Sequence, residues 1–183
     1  MRKTEFAAAA CALMFAAVPV AANADAESDA LFLDMAKEAC ANGDFSAFLW
    51  PYANSAPVRE RYTAATVGTG SDSKSRDVPR ADYLAANDFP ILMIDYSYVT
   101  GDSARRFDTD GDASKLVYTE VEFNTAQDER QRVDWQPGRF EPGEGDGPGT
   151  LIEKTGPGGY LLFSPTADCW QLTADIREAP AAR

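Results

Sequence analysis

The chain has 183 residues, 29 acidic against 17 basic side chains, a formal net charge of −12 and no histidine. The missing imidazole excludes a Ser-His-Asp triad, a Cys-His pair and any histidine-ligated zinc or haem. The negative charge argues against a phosphate backbone or an anionic lipid surface as partner.

The first 24 residues read as a secretory leader. Arg2 and Lys3 give the positive start, Phe6 to Val20 the apolar run, and Ala22-Asn23-Ala24 the small residues before a cleavage point. The expected mature chain, 25–183, is one domain, periplasmic or secreted, and no later stretch is long and apolar enough to cross a bilayer. Cleavage removes Cys11 and leaves Cys40 and Cys169. In an oxidising compartment an isolated pair of this kind most simply forms one disulfide, here joining the first element to the last.

Phe32, Met35, Ala36, Ala39 and Cys40 recur at helical spacing, with Ser28 as the expected N-cap and Asn42-Gly43 as the stop. Asp44 is placed to cap a second, shorter helix from Phe45 to Trp50, which Pro51 is expected to end. Residues 57–67 fit helix and strand equally, and the polar run 68–77 reads as a loop. Ile91 to Thr100 reads as one strand with Tyr96 and Tyr98 on a common face, turned by Gly101-Asp102. Leu116 to Asn124 and Gln131 to Trp135 alternate as a hairpin. A loop follows at 141–149, then a hairpin of Thr150–Thr155 with Tyr160–Ser164, and a last strand Cys169–Ile176 with Trp170, Leu172, Ala174 and Ile176 on one face.

Helices first and strands after define an α+β fold, with N-terminal helices packed on a curved antiparallel sheet of about five to six strands. The opening helix followed by GDFSAF (Gly43 to Phe48) and the closing GYLLFSPTADCWQL (Gly159 to Leu172) resemble the nuclear transport factor 2-like and cystatin-like group of folds. That resemblance implies a site in a pocket between helix and sheet. Enzymes of the group often use an Asp-His pair there, which this chain cannot supply, so the resemblance favours a ligand-binding or protein-interaction role over catalysis.

Several clusters invite chemistry. Ser71-x-x-Lys74, Tyr52-Ala53-Asn54 and Lys154-Thr155-Gly156 look like fragments of a penicillin-recognising serine enzyme, but they stand in the wrong order in too small a domain. Asp108, Asp110 and Asp112 space their carboxylates like the first half of a calcium loop, yet Ala113 stands where glycine is needed and Thr119 where a bidentate Glu is needed. If the hairpin turn centres near Gln127, Glu120 faces Asp134 across the strands, a carboxylate pair of the kind a glycosidase uses. Trp50, Tyr96, Tyr98, Trp135 and Trp170 supply aromatic surface for a core or a pocket. The reading is an exported module binding a small ligand or a protein, with a disulfide at Cys40 and Cys169 and no assigned cofactor, metal or catalytic residue. A carboxylate-based hydrolase using Glu120 and Asp134 is the alternative.

Overall fold

The computed structural model describes residues 21–71, 74–141 and 149–179. Most of the expected leader and of the 141–149 loop lies outside them.

The first helix, α1 (Ala21–Asn42), starts well before Ser28. Ser28 is an exposed residue inside it and not a cap. The alanines at 21, 22, 24 and 26 are strong helix formers, and no breaker stands between them and the periodic segment. Ala36 and Ala39 are buried as expected, and Gly43 takes the left-handed conformation (φ +67°) that ends the helix.

Asp44 caps α2 (Phe45–Asn54), its Oδ1 accepting from the Ala47 N–H at 2.9 Å. Pro51 does not end this helix, which runs three residues further. Proline removes its own donor, but Tyr52 and Ala53 beyond it are completely buried and the Pro51 carbonyl accepts from Ser55 N at 3.0 Å, so packing outweighs the local penalty. The ambiguous stretch divides into α3 (Ala56–Tyr62) and β1 (Thr63–Ser71). Thr63 marks the switch, its hydroxyl donating back to the Arg59 carbonyl at 2.7 Å.

Residues 68–71 and 74–77 are not a loop: they lie in the arms of a hairpin between β1 and β2 (Lys74–Pro79), with Gly68 opposite Asp77 and Ser71 opposite Lys74. β2 is an edge strand whose side chains are exposed apart from Val78, so no apolar alternation marks it in the sequence. After α4 (Arg80–Ala85), the stretch expected as one strand is a tight hairpin, β3 (Ile91–Ile94) and β4 (Ser97–Thr100). Asp95 and Tyr96 form its turn with φ of 46° and 61°, a conformation usually left to Asn-Gly. The expected Gly101-Asp102 turn is the first turn of α5 (Gly101–Asp110), capped by Thr100 and closed by Gly111.

The remaining strands are β5 (Thr119–Thr125), β6 (Gln131–Glu141), β7 (Thr150–Lys154), β8 (Gly159–Pro165) and β9 (Trp170–Arg177). The main sheet is open and ordered β2-β1-β9-β8-β6-β5, with β7 also on β6. Every pairing is antiparallel except β1 with β9, which makes the sheet mixed. The expected β7/β8 hairpin does not form. Both strands run antiparallel to β6 along one edge of it, β7 beside Gly138–Glu141 and β8 beside Gln131–Trp135, with residues 155–158 interrupting them.

The core is aromatic. Phe48 and Tyr52 of α2 meet Phe163 of β8 and Trp170 of β9 with ring centroids 5.0 to 6.1 Å apart, mostly edge to face. Each such pair contributes on the order of 1 kcal/mol beyond its buried area. Cys40 at the end of α1 is joined to Cys169 before β9, their Cα atoms 4.9 Å apart. Among the described residues, no helix is long and apolar enough to cross a membrane.

Candidate functional site

α2 fills the space under the middle of the sheet, where a pocket between helix and sheet was expected. The openings lie at the other end. There the inner-face row runs Val121, Trp135, Gly159, Arg177 across β5, β6, β8 and β9. Gly159 contributes no side chain, and the Trp135 ring lies over it: a Cβ at Gly159 would stand 2.9 Å from the indole Cζ2. That inner face, α5 and the 155–157 segment enclose a cleft of about 520 Å³. Trp135 and Pro137 line it from the sheet, Val117 lines it from the segment before β5, and Pro90, Pro157, Arg105 and Arg177 also line it.

Two buried polar atoms at this end have no hydrogen-bond partner among the described residues, the Trp135 Nε1 and the Thr119 hydroxyl. Trp135 is 7% exposed and Thr119 3%. A buried donor left unpaired costs about 1 to 3 kcal/mol, so these two atoms lower the stability of this end of the sheet.

The sequence did not flag the most connected group here. A bulge in β9 breaks the register, with Leu162 opposite Ala174 but Phe163 opposite Leu172. The bulge reverses the alternation expected for Cys169–Ile176, so Asp175 turns inward (2% exposed) and Ala174 does not share the face of Leu172. The Asp175 carboxylate accepts from the Tyr83 hydroxyl at 2.9 Å and from Arg177 Nη2 at 2.7 Å and Nε at 3.0 Å. Arg177 Nη1 also reaches Asp88 at 3.0 Å. Burial and the neighbouring Asp175 charge hold the Tyr83 hydroxyl well above the ordinary tyrosine range, so it stays a donor. This chain fixes Arg177 at the cleft wall. A second cleft, of about 500 Å³, opens between α3 and α4 beside Arg59, Tyr83 and Phe89.

The expected acidic pair is re-registered. Glu122, not Glu120, lies opposite Asp134, and Glu120 faces Gln136. The turn spans two residues more than a centre at Gln127 allows, because Ala126 and Arg130 close it. Glu120, Glu122, Asp134 and Glu178 line a shallow groove of about 290 Å³ on the outer face. There Asp134 accepts from Arg132 at 2.6 Å and from Asn124 at 3.0 Å, so it stands in an ion pair on the outer face.

The other candidates separate. Asp108 and Asp110 lie on α5, and the Lys115 ammonium sits between Asp110 (2.7 Å) and Asp112 (3.2 Å), where a cation of a calcium loop would be. Tyr52 is buried and bonded to Thr63 at 2.7 Å, while Lys154 is exposed on β7, so the serine-enzyme fragments serve different elements. Tyr96 is 85% exposed at its hairpin tip and does not share a covered face with Tyr98. Trp170 packs in the core, Trp50 against Phe32, and Trp135 alone of the singled-out aromatics lines the cleft.

No family model matches the chain, and no curated protein matches it. Among solved structures it is similar to a DUF4783 family protein from Bacteroides ovatus, at 12% identity over 68% of this chain and 84% of that one, with a TM-score of 0.36. An NTF-2 like protein of unknown function from Shewanella oneidensis matches at 15% identity over 84% and 98%, TM-score 0.33. A member of the NTF2-like family from Streptomyces avermitilis matches at 18% over 88% and 99%, TM-score 0.27. The neighbours thus include NTF2-like proteins, and the likeness is one of fold alone, too low to transfer a pocket or a residue role.

Proposed function

We propose that this protein is an exported binding module that takes a small organic molecule in the cleft between α5 and the inner face of the sheet. Trp135 carries the reading: its side chain lines a cleft of about 520 Å³, and its indole N–H is buried with no partner among the described residues. Apolar walls around a few convergent polar groups are the usual make-up of a small-molecule site. Export is supported by the order of charged, apolar and small residues at the start of the chain and by the Cys40–Cys169 bridge.

The test is a titration of ¹⁵N-labelled protein with benzamide and benzyl alcohol, followed at the indole N–H signals of Trp50, Trp135 and Trp170. Saturable movement of the Trp135 signal, with the other two still, is the expected result. If it does not move with any fragment tried up to tens of millimolar, the cleft is not a binding site.

A further inference from the structure

Five charged side chains line the same cleft: Asp88, Asp102, Arg105, Arg106 and Arg177. Four of them are matched. Arg106 pairs with Asp102 one turn away on α5, and Arg177 pairs with Asp88 at 3.0 Å and with buried Asp175 at 2.7 Å. Arg105 is not matched. It is half-buried, forms no ion pair among the described residues, and reaches only the Phe89 carbonyl, at 3.5 Å from Nη1. Over the Phe89 ring lies a second guanidinium, Arg59, 5.6 Å from the centroid and likewise without an ion pair among the described residues. In a chain of net charge −12, two half-buried guanidiniums at one phenylalanine, neither in an ion pair among the described residues, are a local excess of positive charge.

The Arg105 guanidinium is a donor with no acceptor capacity, so it is satisfied by an acceptor and not by a donor. Pro90, Val117, Pro137 and Pro157 offer nothing polar in their side chains and suit an apolar body. We propose that the ligand of this cleft is a small organic carboxylate, its anionic head on the Arg105 guanidinium and its apolar body against Trp135 and the prolines. A single guanidinium fork matches the two oxygens of one carboxylate. A dianionic phosphate is disfavoured because Asp88 and Asp102 stand beside the same opening and repel a second charge. This inference rests on the cleft being a binding site and adds the chemical class of what enters it.

The experiment compares benzoate with its neutral isostere benzamide, and both with phenyl phosphate, in Tris chloride by the same indole titration. Benzoate is expected to bind about ten-fold tighter than benzamide at low salt, with the margin shrinking as salt is raised. Arg105→Gln removes the margin by weakening benzoate far more than benzamide, whereas Arg105→Lys keeps part of it. Should Arg105→Gln fold poorly, the salt dependence of the benzoate-to-benzamide ratio in the unsubstituted protein reads the same contact. Equal binding of benzoate and benzamide, or benzoate binding untouched by Arg105→Gln, overturns the assignment to a carboxylate while the cleft stands as a site. Tighter binding of phenyl phosphate overturns the choice of carboxylate. No movement with any of the three removes the binding site itself.

Discussion

Replacing Asp175 with alanine removes the one acceptor shared by Tyr83 and Arg177. The Tyr83 hydroxyl, on a residue 8% exposed, then has no partner in reach, which costs about 1 to 3 kcal/mol. Arg177 loses its 2.7 and 3.0 Å contacts but keeps Asp88 and is about one-third exposed, so its share is discounted to about 1 kcal/mol. The expected loss is therefore about 3 kcal/mol in urea unfolding, against about 1 kcal/mol for Tyr83→Phe, which leaves Asp175 its two bonds from Arg177. The two losses do not add. With Asp175 gone, Tyr83→Phe removes an orphaned hydroxyl and is close to neutral, giving a coupling of about 1 to 2 kcal/mol. Measured additivity, or an Asp175→Ala loss below about 1 kcal/mol, refutes the description of Asp175 as the hub of this end of the sheet.

The Cys40–Cys169 bridge spans 129 residues, and the chain-entropy relation gives about 5 kcal/mol as the upper estimate of its contribution. The double serine variant should lose a few kcal/mol in denaturant, and non-reducing peptide mapping of the native protein should find the two cysteines linked. Tyr52 and Tyr83 are held above the ordinary tyrosine range by burial, so both remain protonated in the folded chain after unfolded tyrosines begin to ionise. With the folded values raised, their stabilisation is complete below about pH 10 and falls by about 1.4 kcal/mol per residue for each further pH unit, until the folded groups themselves titrate. Urea midpoints measured from pH 9 to 11 should decline accordingly, with Tyr52→Phe and Tyr83→Phe each flattening the slope.

Helices α1 and α2 and strands β5, β6 and β9 were legible in the sequence because each buries one face and so carries a period, whereas α3 stayed ambiguous and α4 and α5 were not read. Phe32, Ala36 and Ala39, or Val133 and Trp135, repeat at the spacing their element imposes. The edge strand β2 was not, since a strand exposed on both faces has no period to read. The β3/β4 turn was hidden because Asp95 and Tyr96 are not residues that announce positive φ. The acidic register failed by two residues for want of the turn geometry, which the side-chain pattern cannot supply since such a slip leaves every residue on its own face. Within the site, Trp135 was visible as an aromatic of the right phase, but Asp175 and Arg177 were not. A bulge at Thr173 decides which way they point, and a bulge is a property of pairing between Leu162 and Phe163 on another strand.

The parallel pairing of β1 with β9 puts the latest strand of the sheet between two earlier ones, β1 and β8. During synthesis, β1 and β2 on one side and β5, β6 and β8 on the other are finished before the strip that joins them exists. Neither half can settle against its neighbour until residues 170–177 have emerged and threaded the gap. Such an order makes closure of the sheet wait on its last-made strand.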